Sequence, residues 1–264
     1  MTLKKAWLTV AKIAVALVFW LAIWVLVSFR INSELLFPSP ASVGRTLIDL
    51  VQSKDFWLIT LLSLIRVIWG ILVSLLLGSV LAYLTTQVKL LHILVSPALS
   101  AIKSTPVASF IILALLWLER DSLPVLITAL IVIPIIWANV SEGIERVDNE
   151  LLEVATIYRF SLWTKFHRLY LPSVAPYFMA ACKSSLGMAW KAGIAAEVLA
   201  TPQHSIGTEL YFSKTYLETP TLFAWTLVVI LLSLIIEKLF VFGLERIGHH
   251  WKLLPKGGHH AEGS

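Results

Sequence analysis

Cysteine and charge are both scarce in this sequence, and each scarcity excludes a class of protein. The single cysteine, Cys182, lies inside an apolar run, so the chain can form no intramolecular disulfide and no cysteine metal cluster. Charged residues make up 14% of the chain, against about 25% in soluble globular proteins. The phosphate-binding pattern G-x-x-x-x-G-K-[ST] is missing, which argues against a nucleotide site of that kind in this chain.

Apolar residues dominate what is present. They form 58% of the 264 residues, the mean hydropathy is +0.84, and there are 11 tryptophans. This composition predicts an integral membrane protein. The net charge of +5 does not point to nucleic acid, because the basic residues mostly flank apolar runs, a distribution that suits an anionic lipid surface.

Apolar runs long enough to cross about 30 Å of hydrocarbon predict an all-α membrane protein with six transmembrane helices. The predicted spans lie near Trp7–Phe29, Leu58–Thr85, Leu91–Leu118, Leu123–Val140, Val174–Ala200 and Leu222–Leu244.

The first run could also be a signal peptide. It exceeds twenty residues, carries Trp20 and Trp24, and ends at Arg30 without a small-residue cleavage site, so we interpret it as a retained helix. We divide the chain into residues 1–35, with the N-terminal tip and first span, a core over 36–247, and a tail over 248–264.

The distribution of lysine and arginine predicts the orientation. With the N-terminus in the cytoplasm, the outer side receives Arg30, Arg45, Lys54, Arg120 and Lys214. The cytoplasmic side receives a larger set: Lys4, Lys5, Lys12, Lys89, Arg146, Arg159, Lys165, Arg168, Lys238, Arg246, Lys252 and Lys256. Both termini and the polar segment after Arg146 are therefore predicted to be cytoplasmic.

That polar segment, residues 148–172, predicts two short amphipathic helices joined by a bend. Asp148 and Ser161 can each cap a helix N-terminus, and Pro172 is expected to end the second helix. Leu151, Leu152, Ala155 and Tyr158 form one apolar stripe, and Leu162, Phe166 and Leu169 form another. Tyr158, Arg159 and Trp163 would face outward. A plain interfacial connection between two spans is the alternative.

The order Glu153-x-Ala155, a bend, then Leu171-Pro172 resembles the coupling loop, or EAA loop, of binding-protein-dependent ABC importer permeases. From Leu36 to Phe240 the chain resembles the nitrate, sulfonate and taurine branch of these type I importers. The matching segments include Phe37-Pro38-Ser39-Pro40, Ser63-Leu64-Ile65-Arg66-Val67, Lys103-Ser104-Thr105-Pro106, Ala195-Ala196-Glu197 and Gly207.

The resemblance implies a type I importer permease fold with a cytoplasmic two-helix coupling loop. It implies that Glu153, Ala155, Leu171 and Pro172 seat in a groove of an ATPase subunit, and the outward Tyr158 and Arg159 complete the predicted coupling set. The family has a second alanine where this chain has Val154 and a bend glycine where it has Arg159. Arg159 must therefore accept a left-handed conformation or use a different bend.

The partners also follow from the resemblance. They are two ATPase subunits that bind ATP and Mg, a second permease copy in a homodimer, and an extracytoplasmic binding protein, all at a bacterial inner membrane. This chain would bind no cofactor or metal and catalyse no reaction. The solute stays open, because the branch carries substrates from nitrate and sulfonates to pyrimidine vitamin precursors.

Five ionisable residues lie within predicted spans, where each is costly unless paired or wetted. They are Arg66, Lys103, Lys183, Lys191 and Glu197. Four cations against one anion favour an anionic solute. Arg66 sits near the outer end of its span and is interpreted as a structural residue that snorkels or bonds helix-end carbonyls.

The predicted pathway or gate residues are Lys103, Pro106, Lys183, Trp190, Lys191 and Glu197. Several have structural alternatives. Lys103 could satisfy a carbonyl freed by Pro106, Lys183 could reach the interface, and Trp190 could be a packing residue. Lys191 and Glu197 point about 240° apart around one helix, so any pairing must run between helices or subunits.

Segments outside the spans carry further expectations. Leu36–Asp55 and Leu210–Leu217 are the predicted docking surface for a binding protein. The Gly/His tail Lys256–Ser264 could bind metal, although a disordered cytoplasmic end fits its composition better. An ATP-independent secondary transporter or channel remains an alternative, and an intramembrane enzyme lacks a reactive set of side chains within the spans.

Overall fold

The computed structural model describes residues 3–250 and is helical throughout that range, with no strand. The predicted tail from 251 onward, with Lys252 and Lys256, lies outside the described residues. The helices are α1 (Leu3–Ile31), α2 (Pro40–Gln52), α3 (Lys54–Gln87), α4 (Lys89–Ser104), α5 (Val107–Ala114), α6 (Leu123–Glu145), α7 (Asn149–Ile157), α8 (Leu162–Lys165), α9 (Leu171–Ala200), α10 (Ile206–Thr215) and α11 (Thr219–His250). A π-helical turn, Phe166–Tyr170, joins α8 to α9.

Fewer helices meet the length and hydrophobicity needed to cross a membrane than the six spans that the sequence predicts. Within residues 3–250, segments of α1, α3, α6 and α11 are long and apolar enough to cross a bilayer, and α4 with α5 would add a fifth as one bent span. Helix α9 has 30 residues but is not among them, because it carries lysines and a glutamate among its small apolar residues.

The third predicted span, Leu91–Leu118, is not one continuous helix. Helix α4 ends at Ser104, α5 begins at Val107, and the two are bent by 104°. Pro106 explains the break, because it has no N–H to donate and forces the preceding residue out of the helical region. Thr105 accordingly has an extended backbone, with φ −85° and ψ 134°.

Helix α2 was not predicted as a helix, although its start carries a local signal. Ser39 accepts a hydrogen bond from the Ser42 N–H, and Pro40 occupies the first turn, where a missing N–H costs nothing. The Glu34 carboxylate accepts hydrogen bonds from the Ser42 hydroxyl at 2.7 Å and the Ser39 N–H at 3.2 Å. These bonds hold the pKa of Glu34 below its usual value.

The core is built from α3, α6 and α9, which meet where glycine removes a side chain. An added Cβ on Gly70 would lie 2.6 Å from the Thr128 Cβ, and one on Gly78 would lie 2.8 Å from the Ile136 Cβ. The contact moves eight residues forward on both helices, from Gly70 to Gly78 on α3 and from Thr128 to Ile136 on α6, so the two helices run parallel. Helix α9 runs antiparallel to them, with Gly193 against Val67. Such small residues let membrane helices approach closely.

The bundle has two distinct ends. Residues 32–53, 115–122 and 201–218 gather at one, which we call the α10 end: Thr219 donates to the Leu35 carbonyl, and Arg66 reaches both Asp121 and the Gln203 carbonyl. Residues 146–170 lie at the opposite end of α9, about 45 Å away at 1.5 Å per residue. We call this the loop end.

Helix α1 lies apart from the core. The apolar stretch Ala14–Ile31 has none of its residues buried within the chain. Among its described side chains, Trp24 near the C-terminus makes contact: its indole N–H donates to the Pro38 carbonyl at 3.0 Å, and its ring lies 6.0 Å from that of Phe223.

Substituting alanine for Gly70 or Gly78 should destabilise the bundle. Each new methyl would overlap a neighbouring helix, and overpacking of this kind costs about 1–3 kcal/mol. We expect a lower thermal unfolding midpoint for the purified full chain. Gly44→Ala is the matched control, because a Cβ at that helical position meets nothing within 4 Å. An equal effect in all three variants would contradict the packing role.

Candidate functional site

The 148–172 loop contains the two caps that the sequence predicts. The Asp148 side chain accepts from the Glu150 N–H at 2.9 Å at the start of α7, and the Ser161 hydroxyl accepts from the Thr164 N–H at 3.2 Å at the start of α8. The Lys165 ammonium donates to the Thr156 hydroxyl at 3.2 Å, which joins the two helices across their bend. Both predicted helix starts are confirmed.

Arg159 adopts the left-handed conformation that the sequence left as one of two alternatives. Its φ is +51°. The Phe160 N–H donates to the Ala155 carbonyl at 2.9 Å, the bond that closes a helix whose next residue is left-handed. Glycine is favoured at this position, so Arg159 holds the bend at a cost of roughly 1–2 kcal/mol.

The second loop helix does not end at Pro172, which corrects the sequence prediction. The chain stays helical from Leu162 through α8, the π turn and α9 to Ala200. In the π turn the Leu171 N–H donates to the Phe166 carbonyl, five residues back. This π turn lies directly before Pro172. The proline therefore occupies the first turn of α9, where its missing N–H is tolerated.

The loop buries one small residue and exposes large ones. Ala155 is buried, whereas Tyr158 is 73% and Trp163 72% exposed. Glu153, Arg159 and Pro172 are also exposed, and Leu171 is half-buried. Ile157 and Leu162 add exposed apolar surface beside Tyr158 and Trp163. We call the exposed set Glu153, Ile157, Tyr158, Arg159, Leu162 and Trp163 the loop face.

Helix α9 turns two lysines away from the core. Lys183 and Lys191 are eight residues apart, which places them on one side of the helix, and both are exposed. Lys191 makes no hydrogen bond or ion pair in the described part of the chain. Ala180, Gly187 and Met188 lie along the same side. A lysine facing hydrocarbon is costly, so this side requires water or protein against it.

Lys103 and Pro106 lie at the break between α4 and α5. The Lys103 side chain is exposed at the last turn of α4 and, among residues 3–250, makes no hydrogen bond to a carbonyl freed by Pro106. Trp190 is buried, and its indole N–H donates to the Val229 carbonyl of α11 at 3.1 Å. Its surroundings are those of a packing residue.

Glu197 lies at the centre of a buried network at the α10 end. Its side chain is fully buried, and its Oε2 accepts from the Ser63 hydroxyl at 2.8 Å and the Gly207 N–H at 3.1 Å. The Ser63 oxygen in turn accepts from the Ile206 N–H at 2.9 Å. We call Ser63, Glu197 and these two N–H groups the hub. It fixes the first turn of α10 onto α3 and α9.

Arg66 covers the hub from the surface side. It donates to the Gln203 carbonyl at 2.8 Å, the His204 carbonyl at 3.2 Å and Asp121 Oδ1 at 2.7 Å. Its Nη1 lies 3.6 Å from Glu197 Oε1. Arg66 thus bonds backbone carbonyls, as expected, but they belong to the connection between α9 and α10 and not to a helix end. The interhelical partner of Glu197 is Arg66, not Lys191.

Sequence reasoning missed Ser63 and Asp121 as parts of this network. One feature of the sequence could have indicated the network. A glutamate within an apolar helix needs hydrogen-bond donors, and Arg66 is the cation that lies, like Glu197, near the outer end of its predicted span. Among the described residues, no three His, Cys, Asp or Glu side chains lie together as a metal site would require.

Removing the Ser63 hydroxyl should destabilise the α10 end. Ser63→Ala leaves the Ile206 N–H without an acceptor and takes one donor from Glu197, and an unsatisfied buried group costs about 1–3 kcal/mol. We expect a lower unfolding midpoint in detergent. Ser79→Ala in the same helix is the control, because that half-buried hydroxyl makes no hydrogen bond in the described structure. Indistinguishable midpoints would contradict the hub.

Comparison with known proteins agrees with this architecture. The family described as binding-protein-dependent transport system inner membrane component matches residues 74–242, more than half of the chain.

A putative aliphatic sulfonates transport permease protein, SsuC, from Bacillus subtilis is 25% identical over 234 residues, which cover 88% of this chain and 84% of the relative. The nitrate import permease protein NrtB from Synechococcus elongatus is 25% identical over 213 residues, covering 74% and 76% respectively. The bicarbonate transport system permease protein CmpB from Synechocystis is 27% identical over 154 residues, covering 58% and 54%. The chain therefore belongs to the binding-protein-dependent transport system inner membrane components, the permease subunits of ABC importers.

Proposed function

We propose that this chain carries a small anion across the bacterial inner membrane, driven by ATPase subunits that dock on its loop face. The observation that carries the proposal is the unbroken helical path from Leu162 to Ala200. It joins the loop to the hub at the opposite end, so a force on the loop reaches the α10 end without a flexible joint.

The loop face suits a protein partner. Tyr158 and Trp163 are large amphipathic side chains of the type enriched at protein interfaces, and Arg159 adds a charge at the bend. Ala155 and the Lys165–Thr156 bond keep the two loop helices together beneath this surface. The basic residues of the loop and of the chain ends support a cytoplasmic position, where an ATPase can reach it.

The solute class is supported by charge and by the relatives. The lysine-bearing side of α9 offers Lys191 as a cation with no carboxylate partner in the described chain. A second copy facing it would enclose a polar pathway lined by both copies. The relatives are named for sulfonate, nitrate and bicarbonate, all of which are small anions.

The α10 end is the proposed docking surface for the binding protein. Helix α10 exposes Tyr211 and Phe212, and Tyr216 just after its end is exposed as well; the rings of Phe212 and Tyr216 stack at 5.9 Å. Helix α2 lies at the same end, within the segment Leu36–Asp55 that the sequence favours for docking. Both surfaces would face outward when the loop face is cytoplasmic.

One observation favours a second candidate, an ATP-independent secondary transporter. The 104° break between α4 and α5 resembles the interrupted helices that such transporters use at their binding sites. Solute flux through the purified chain in liposomes, without any ATPase, would support it.

Reversing the charge at Arg159 should weaken ATPase docking. We expect Arg159→Glu to lower co-purification of the ATPase and solute-stimulated ATP hydrolysis by roughly tenfold or more, the loss expected at a central interface charge. Arg159→Gly removes the charge while relaxing the left-handed bend, so weaker docking by this variant would come from the lost charge and not from backbone strain. Wild-type docking by both variants would exclude a charge contact at this position.

Lys191→Met should abolish solute uptake by the complete complex while leaving its assembly intact. The substitution keeps the length of the side chain but removes the cation from the exposed side of α9. Uptake into cells and size-exclusion profiles of the purified complex measure the two properties. Lys89→Met at the start of α4 is the control, since that exposed lysine lies outside this side of α9, the loop face and the proposed docking surface. Unchanged uptake in Lys191→Met would remove Lys191 from the pathway.

A further inference from the structure

The hub contains an unfilled hydrogen-bond position next to a cation that is bonded elsewhere. Glu197 Oε1 is buried and has no hydrogen-bond partner among the described residues. Arg66 Nη1 lies 3.6 Å from it, beyond the 2.7–3.2 Å of an ordinary N–H···O bond. Buried oxygens are nearly always bonded, so this one requires an explanation.

Arg66 is also bonded to the segment between α5 and α6. We call Leu115–Ser122 the strap. Asp121 of the strap accepts a hydrogen bond from Arg66 Nη2 at 2.7 Å, and Arg120 of the strap donates to the Thr201 hydroxyl at 3.2 Å. Within the described chain, these are the side-chain hydrogen bonds that join the strap to the rest of the α10 end, while Leu115 packs against the buried cluster of Ile111 and Ile127.

The two carboxyl groups that compete for Arg66 differ in their surroundings. The Asp121 side chain is 59% exposed, whereas that of Glu197 is fully buried. An exposed ion pair is weak and is screened by salt. A bond from Arg66 to buried Glu197 lies in a medium where hydrogen bonds are stronger.

Arg66 has the geometry to serve either group. Its guanidinium carries five N–H donors, of which three bond to the Gln203 and His204 carbonyls and to Asp121. The two carbonyl bonds hold it at the rim of the hub. A movement of several tenths of an ångström toward Glu197 would bring Nη1 into bonding distance of Oε1.

We propose that Arg66 is a two-position switch that makes the strap releasable. With the strap docked, Arg66 bonds Asp121 and leaves Glu197 Oε1 unfilled. With the strap released, Arg66 moves inward and bonds Glu197, so the new bond offsets the lost one and the two states lie close in free energy. The strap follows α5 directly, so its release removes an attachment next to the end of that helix. The use of this movement as an outer gate rests on the proposed transport function, whereas the switch does not.

Hydrogen exchange of the full chain in lipid nanodiscs, followed by mass spectrometry, tests the switch. The Leu116, Trp117, Leu118 and Ser122 amides donate within the strap and its junction with α5, and report its release. The Ile206 and Gly207 amides donate to Ser63 and Glu197 and report the hub.

Asp121→Ala should speed exchange of the strap amides by roughly three- to tenfold while the hub amides stay as slow as in the wild type. Added salt should speed strap exchange in the wild type but not in this variant. Glu119→Ala is the matched control, because Glu119 is an exposed acid of the same strap whose side chain makes no bond in the described structure. It should exchange as the wild type does.

Two results would overturn the proposal. Equal strap exchange in Asp121→Ala and Glu119→Ala would show that Asp121 does not hold the strap. Faster exchange of the Ile206 and Gly207 amides together with the strap would show that Arg66 does not transfer to Glu197. The measurement needs no ATPase or solute, so its failure is separate from a failure of the transport proposal.

Discussion

Backbone contact between α3, α6 and α9 is the constraint from which the rest of the structure follows. In a bilayer, apolar side chains gain little by leaving lipid, so helices associate through close van der Waals packing and shared polar bonds. Gly70, Gly78 and Gly193 provide the first, and the hub provides the second. Because these three helices fix one another along their length, the loop at one end of α9 and α10 at the other are held in a defined relation.

Local signals in the sequence predicted the parts of the fold that depend on neighbouring residues. The caps at Asp148 and Ser161, and the left-handed option at Arg159, each require only a few residues of context, and all three occur. Apolar runs located α1, α3, α6 and α11 to within a few residues for the same reason.

The features that sequence reasoning missed depend on bonding across the fold or on unusual helix geometry. Pro172 fits inside a helix because a π turn precedes it. Pro106 breaks an apolar run that, by hydrophobicity alone, predicts one continuous helix. Ser63 and Asp121 come from separate elements, and their convergence on Glu197 and Arg66 requires the three-dimensional packing. Most of the pathway residues were proposed from charge within a span, which does not reveal which side of a helix faces the core. Lys183 and Lys191 share an exposed side, whereas Trp190 and Glu197 are buried.

The isolation of α1 has a consequence for how the protein is made. This helix meets the core near its C-terminus and buries none of its apolar stretch within the chain. It therefore needs no other part of the chain to be stable in lipid. Because it precedes α3, α6 and α9 in the chain, it can enter the membrane and set a direction for the crossings that follow it before those core helices exist. Biogenesis then separates into an early insertion step and a later packing step, with the Trp24–Pro38 contact joining the two products.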